Sequence, residues 1–173
     1  MSTLLKNYII IDIQIPTGSL RDLNYHMLYI ASDHAGFQLK KDLIKYLQTV
    51  LNKEVEDLGP TAFVETDDFP DYAIPLARAV AKDKDNFGIL ICGTGQGMCI
   101  AANKIKGAYA IMGHNISATE MGRRHNNANI LCLSGHPASL DFAYAIVKKF
   151  LETKFDGDAR FVRRNKKIAD LEE

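Results

Sequence analysis

From position 27 onward, short apolar or β-branched runs alternate with longer segments in which apolar residues recur every three or four positions. The runs at 28–32, 54–58, 87–92, 108–112 and 130–134 read as strands. The stretches at 36–50, 71–84, 97–105, 117–126 and 138–152 read as the helices between them. In the first of these, Leu39, Leu43, Tyr46, Leu47 and Val50 share one helical face, while Lys40, Lys41, Asp42 and Lys45 fall on the others, so one side should pack on a sheet. Regular βα alternation joins parallel strands through crossover helices. The expected fold is therefore α/β, a doubly wound, Rossmann-like sheet of five parallel strands with helices on both faces. After the turn signal Phe155-Asp156-Gly157-Asp158, positions 160–173 add a polar C-terminal helix. Its apolar side is thin (Phe161, Val162, Ile168, Leu171), which calls for another surface to lie on, such as a second subunit.

Residues 1–26 do not follow this rhythm. Tyr8 to Ile15 alternates as a strand would, but Pro16, Gly18 and Ser19 end it. We treat 1–26 as an N-terminal appendage, with room for one extra edge strand, and 27–173 as a single domain. A chain of 173 residues that is 47% apolar can build one real core. Its 21 basic and 21 acidic residues balance, leaving no cationic excess to draw it onto nucleic acid or an anionic membrane. Any anion must be met locally. The apolar runs fall far short of the roughly 20 residues a membrane span needs, and 1–26 has neither a secretory nor a transit pattern, so the expected location is cytoplasmic. Cys92, Cys99 and Cys132 are odd in number and lack CxxC spacing, which suits free thiols in a reducing compartment. No HExxH or His/Asp cluster points to a metal.

Ligands of open parallel sheets bind beyond the carboxyl ends of the strands. Three strings stand there: Ser32-Asp33-His34-Ala35-Gly36, Cys92-Gly93-Thr94-Gly95-Gln96-Gly97 and Gly113-His114-Asn115. A glycine-rich loop opening a helix offers free backbone N–H groups to a phosphate, a carboxylate or a developing oxyanion, although many such loops are only tight turns. The dinucleotide fingerprint does not fit, because Met98 replaces its last glycine and 108–119 holds no carboxylate for a ribose. Nor does a P-loop, since no Gly-Lys-Ser/Thr follows. Amide donors beside Cys92 favour its thiolate, making it a base or nucleophile rather than the inert buried packing assigned to Cys99 and Cys132. His34 beside Asp33, and His125 within Arg123-Arg124-His125-Asn126-Asn127, lie where a pocket would be; His114 and His136 follow strand ends. The cluster Arg160, Arg163, Arg164, Lys166, Lys167 is ordinarily a solvated face. Arg160 and Arg164, however, are four apart and share one helical side, able to clamp a phosphate together.

Four ordered motifs carry a resemblance: Ala31-Ser32-Asp33-His34-Ala35-Gly36-Phe37, Gly88 through Gly97, Ile100-Ala101-Ala102-Asn103-Lys104, and Arg124-His125-Asn126-Asn127-Ala128-Asn129. Over about 27–172 the chain resembles type B ribose-5-phosphate isomerases, a family that also holds galactose-6-phosphate and allose-6-phosphate isomerases. The resemblance implies an aldose–ketose isomerase that works without metal or nicotinamide cofactor, passing a proton between C1 and C2 of the opened sugar through a cis-enediolate. Cys92 matches the family's cysteine base, and Met98 stands in the slot where another branch carries a glutamate. Gly93, Gly95, Gln96 and Gly97 match the oxyanion-stabilising loop, and Asn126 a contact to the enediolate from the partner subunit. His125, aided by Asp33 and Thr94, matches the group that opens the furanose ring. His34, Arg160 and Arg164 match phosphate contacts. The resemblance further implies a homodimer with two shared pockets, which can pair into a tetramer.

Two positions depart from the family pattern. His136 stands where an arginine near the phosphate is common, which would make that contact weaker or pH-dependent. Phe69, in Asp68-Phe69-Pro70-Asp71-Tyr72, replaces a tyrosine and its hydroxyl. Three readings follow: ribose 5-phosphate isomerase first, a galactose- or allose-6-phosphate isomerase second, and a non-catalytic sugar-phosphate-binding module as the alternative of another class.

Overall fold

The computed structural model describes residues 27–137 and 139–172; the appendage 1–26 and its expected strand lie outside the described residues. Five strands, β1 (Leu28–Ser32), β2 (Glu56–Asp57), β3 (Phe87–Cys92), β4 (Ala110–Met112) and β5 (Ile130–Ser134), form one parallel sheet in the order β2-β1-β3-β5-β4. Six helices accompany them: α1 (Phe37–Thr49), α2 (Pro70–Val80), α3 (Gln96–Ala102), α4 (Ile116–Asn126), α5 (Leu140–Glu152) and α6 (Ala159–Ala169). The doubly wound α/β expectation holds, with helices on both faces and an extra helix at the C-terminus.

The strands alternate between two cores, as side chains two apart on a strand must. Leu28, Ile30, Ile89, Ile91, Leu131 and Leu133 meet α1 and α5 on one face, whereas Ala31, Leu90, Cys92, Ile130 and Cys132 meet α2 and α3 on the other. The central strand β3 is buried on both faces, which is why Gly88-Ile89-Leu90-Ile91 reads as a continuous apolar run.

Several elements are shorter than the sequence pattern predicts, each for a local reason. The strand expected at 54–58 pairs only at Glu56 and Asp57, two exposed acidic residues on a sheet edge, where charge suppresses further pairing. The strand expected at 108–112 begins at Ala110, because the Asn129 side chain takes the Tyr109 N–H (2.8 Å) before the ladder can. The helix expected to reach 84 stops at Val80, after which the Asp83 carboxylate accepts the Asp85 N–H (2.9 Å) in a side-chain-closed turn. The helix expected to reach 105 stops at Ala102, because Asn103 turns to Ala110, accepting its N–H and donating to its carbonyl (both 2.9 Å). Asn103, part of a family-like motif, thus satisfies the free edge of β4.

Two buried cations brace opposite ends of the sheet. The Lys40 ammonium, 1% exposed, bonds both Asp57 carboxylate oxygens (2.6 and 2.7 Å) and the Pro60 carbonyl (2.6 Å), anchoring the chain that leaves β2. Arg123, 6% exposed, donates to the carbonyls of Thr153 and Ala128 and lies 4.6 Å from the Phe87 ring centre. It has no buried carboxylate in these contacts, and burial lowers its pKa to about 10, still far above neutrality.

Candidate active site

The carboxyl edge of the sheet brings the ends of β1, β3 and β5 together. Asp33 N–H donates to the Ile91 carbonyl (3.1 Å) and Gly135 N–H to the Cys92 carbonyl (2.7 Å), tying the three strand ends side by side. Between them the 93–97 loop opens α3. Gly95 holds φ at +80°, and a side chain there would also come within 2.9 Å of the Leu133 carbonyl, so glycine is required on both counts. That turn points the Gly95 N–H at Cys92 Sγ, 3.1 Å away. The sulfur thus faces a backbone donor at the mouth of the loop. The loop is fixed from the β5 side as well, since Ser134 Oγ donates to the Gly93 carbonyl (2.8 Å). Thr94, Gln96 and the amides around them remain at the surface of the loop.

The three thiols lie in one core but in different settings. Cys92 is at the strand end and 5% exposed, whereas Cys132 is fully buried within β5, and burial pushes its thiol well up. Cys99 Sγ lies 3.5 Å from the Ala110 carbonyl, inside the packing between α3 and β4.

Asp33 is 6% exposed and accepts the Gly36 N–H (3.1 Å), closing the single 3-10 turn His34–Gly36. Burial pushes its carboxyl up, against the opposing pull of the Gly36 N–H and of His34. His34 bonds to Asp67, a residue the sequence reading passed over: Asp67 Oδ1 accepts both the His34 backbone N–H (3.0 Å) and ring Nδ1 (2.6 Å). Only the chain fold brings these two together, 33 positions apart. Phe69 lies against the same loop, its ring within 3.1 Å of where a Gly97 side chain would begin. A cavity of about 210 Å³ opens between β4 and β5, lined by Gly113, His114, Leu133, Ser134, His136 and Phe142 among others.

His125, Asn126, Arg160 and Arg164 are elsewhere. Helix α4 is capped by Asn115, beyond the carboxyl end of β4, and runs back to deliver the chain to Ile130 at the amino end of β5. His125 and Asn126, in its last turn, therefore sit at the opposite edge, a strand length of about 13 Å from the Cys92 edge. Helix α6 joins them there. The His125 ring stacks on Phe161 (4.1 Å between centres), Asn165 donates to the His125 carbonyl (3.1 Å), and the Arg160 guanidinium lies 4.5 Å from the same Phe161 ring. The Arg124 guanidinium, 3.0 Å from Asp156, holds the Asp156 carboxyl below its ordinary range and ties the approach to α6 onto α4. Arg160, Arg164 and Asn126 are exposed. One chain thus carries two clusters of candidate residues, on opposite edges of the sheet.

Among the described residues, no three His, Cys, Asp or Glu side chains cluster as a metal ion would require, and no helix is long and apolar enough to cross a membrane.

Comparison with known proteins gives the arrangement a family. The probable ribose-5-phosphate isomerase B of Mycoplasma pneumoniae is 43% identical over 144 residues, 83% of this chain and 94% of that protein. A D-erythrulose-4-phosphate isomerase of Mycolicibacterium smegmatis is 37% identical over 130 residues, 75% of this chain and 86% of that one. The crystal structure of ribose-5-phosphate isomerase B from Mycoplasma genitalium with bound ribulose-5-phosphate superposes with a TM-score of 0.81 at 42% identity, covering 86% of this chain and 98% of that one. The model of the Ribose/Galactose Isomerase family matches residues 28–168. The chain belongs to the ribose/galactose isomerase family, and the protein is a sugar-phosphate isomerase.

Proposed function

We propose that the protein interconverts D-ribose 5-phosphate and D-ribulose 5-phosphate through a cis-enediolate, with Cys92 as the base. The observation that carries this reading is the 3.1 Å contact from the Gly95 N–H to Cys92 Sγ at the head of a glycine-rich loop, in which the Gln96 N–H is held by Thr94 Oγ1 (3.3 Å). A proton next to a carbonyl is far too weakly acidic for any side chain to remove unaided, so base and oxyanion stabilisation must occur together. In the aldose, Cys92 takes the C2 proton as the C1–C2 double bond forms and negative charge moves to O1. Return of that proton to C1, with a proton passing from O2 to O1, leaves the ketone at C2. The loop of Gly93, Gly95, Gln96 and Gly97 receives the oxyanion, the Gly95 and Gln96 amides turning to it from Cys92 Sγ and Thr94 Oγ1 as charge develops. Thr94 and Asp33 work with His125 in opening the furanose ring, and Asn126 reaches the enediolate.

The separation of the two clusters supports a second part of the proposal. His125, Asn126, Arg160 and Arg164 complete the Cys92 pocket of a partner subunit, giving a homodimer with two shared sites. A two-fold axis makes such an exchange reciprocal, so both pockets are completed at once. Arg160 and Arg164, with His34 and His136, hold the phosphate, and that remote binding keeps a short sugar in its reactive pose. The exposed Val162 and Ile168 of α6 suit the buried position this requires. We also place the protein in the reducing cytoplasm, where Cys92 stays a free thiol.

The test is conversion of ribose 5-phosphate by the purified protein without added metal, beside four-carbon and six-carbon sugar phosphates, with Cys92→Ala in parallel. The expected result is pentose isomerisation that falls about a thousandfold in the variant. Full activity in Cys92→Ala overturns the base assignment, and a preference for erythrulose 4-phosphate or galactose 6-phosphate overturns the substrate.

A further inference from the structure

We propose that Asp67 is a positioning residue for the substrate phosphate: its carboxylate locks the His34 backbone and ring so that Nε2 is left to donate to the anion. The inference rests on the reading of His34 as a phosphate contact given above. Asp67 is itself nearly inaccessible, with its side chain 5% exposed against 38% for His34. Its second oxygen, Oδ2, is buried and makes no hydrogen bond of its own, while the Tyr72 hydroxyl of α2 lies near enough for Asp67 to add to burial in pushing its pKa up; the short bonds of the carboxylate are the two from Oδ1 to His34. A buried carboxylate whose two short bonds both go to one residue fixes that residue's backbone and ring together.

The chemistry follows from the tautomer. With Nδ1 donating to Asp67, a neutral His34 would present a lone pair at Nε2 and repel a phosphate oxygen. Only the imidazolium donates from both nitrogens. The Asp67 hydrogen bond raises the His34 pKa above its ordinary 6.5, reinforced by the charges of Asp33, Asp67 and Glu65, while desolvation opposes it. The neutral Phe63 ring, 6.4 Å away and edge-on, covers the imidazole without adding charge. A phosphate monoester becomes dianionic above about pH 6. Binding through His34 is therefore strongest between that value and the raised His34 pKa, and it is lost as pH climbs through the latter. Asp67 widens the window at its upper end.

Asp67→Asn removes the charge but keeps an oxygen that can accept from Nδ1, whereas Asp67→Glu restores charge with a longer reach. For ribose 5-phosphate at about pH 8, we expect Asp67→Asn to raise KM about tenfold, while at about pH 6 it stays near the native value. The effect should fall on KM rather than kcat, and Asp67→Glu should recover part of it. A residue that served only the fold would shift KM and kcat together, equally at both pH values. Superimposable KM–pH profiles for the native protein and Asp67→Asn overturn the proposal. A second measurement needs no substrate and no Asp67 variant: the His34 ring is titrated by nitrogen-detected NMR in the native protein, its signal assigned by its loss in His34→Gln. A midpoint above 6.5 that rises further with inorganic phosphate is expected. A midpoint at or below 6.5 overturns the assignment, whichever sugar phosphate the protein prefers, whereas failure to isomerise ribose 5-phosphate alone overturns only the substrate.

Discussion

The two edges of the sheet are built on different principles. At the carboxyl edge, the candidate chemistry is mostly backbone: the Gly95 amide on Cys92 Sγ, the 93–97 loop, and strand ends tied by the Asp33 and Gly135 amides. Two of its side chains, Cys92 and Asp33, are almost wholly buried, while His34 and Thr94 reach the surface. At the amino edge the candidate groups are the long side chains of Arg160 and Arg164 in the first half of α6 and the exposed Asn126 at the end of α4. The first is rigid because a parallel sheet has already fixed it. The second is ordered by single contacts, such as the His125–Phe161 stack, and offers charge without a pocket. A loop of amides can stabilise an oxyanion only where water is excluded, and exposed arginines become strong phosphate ligands only once partly desolvated. Each edge lacks what the other has, which is the physical case for bringing them together across a dimer.

The sharpest way to break that comparison is subunit complementation. Cys92→Ala and His125→Ala should each be nearly inactive, yet unfolding and refolding them together in equal amounts should restore about a quarter of native activity. Half of the random dimers are mixed, and each mixed dimer has one pocket free of both substitutions. No recovery in a mixture shown by mass spectrometry to contain mixed dimers places His125 outside a shared site. A smaller effect sharpens the comparison by testing what supports each edge. Arg123→Met and Lys40→Met, assayed by urea unfolding, should each cost about 3 kcal/mol, because each leaves buried carbonyls or a carboxylate without its donor. Lys40→Met should disturb the chain beyond β2 that carries Asp67, whereas Arg123→Met should disturb the last turn of α4. The smallest effect concerns Asp33. Burial raises its carboxyl above the ordinary 3.8, so the folded state holds this proton more tightly than the unfolded one, and the ionised form costs stability at neutral pH. Asp33→Asn keeps an oxygen for the Gly36 N–H and should raise Tm slightly at pH 7 while lowering kcat. That gain should vanish as pH falls through the Asp33 titration, where the native carboxyl becomes neutral too. A Tm that falls at pH 7 contradicts the burial account.

Much of this was legible in the residues. Apolar period and turn signals placed all five strands and the six helices, because a buried parallel strand needs an apolar run and a crossover helix needs one apolar face. The ends of elements were less legible: Asn129, Asn103 and Asp83 stop β4, α3 and α2 with side-chain hydrogen bonds to backbone groups, a competition that propensity along the chain does not register. The glycine loop after Cys92 was readable because its chemistry is local, a strand end, an amide and a thiol within four residues.

Asp67 was not readable. It lies 33 positions from His34 in a segment of acidic and apolar residues without a regular period, and nothing in Glu65-Thr66-Asp67-Asp68 marks one carboxylate over its neighbours. Nor did spacing reveal that Cys92 and His125 face opposite ways, since that depends on α4 running antiparallel to the strands it connects. By itself the sequence determined the strand and helix types, the loop of amides at the end of β3 and the family motifs, all of which depend on residues close in the chain. Only the tertiary structure decided which carboxylate holds His34 and which edge each candidate group occupies, because those follow from strand order and helix direction, which pack distant residues together by burial and hydrogen bonding rather than by proximity in sequence.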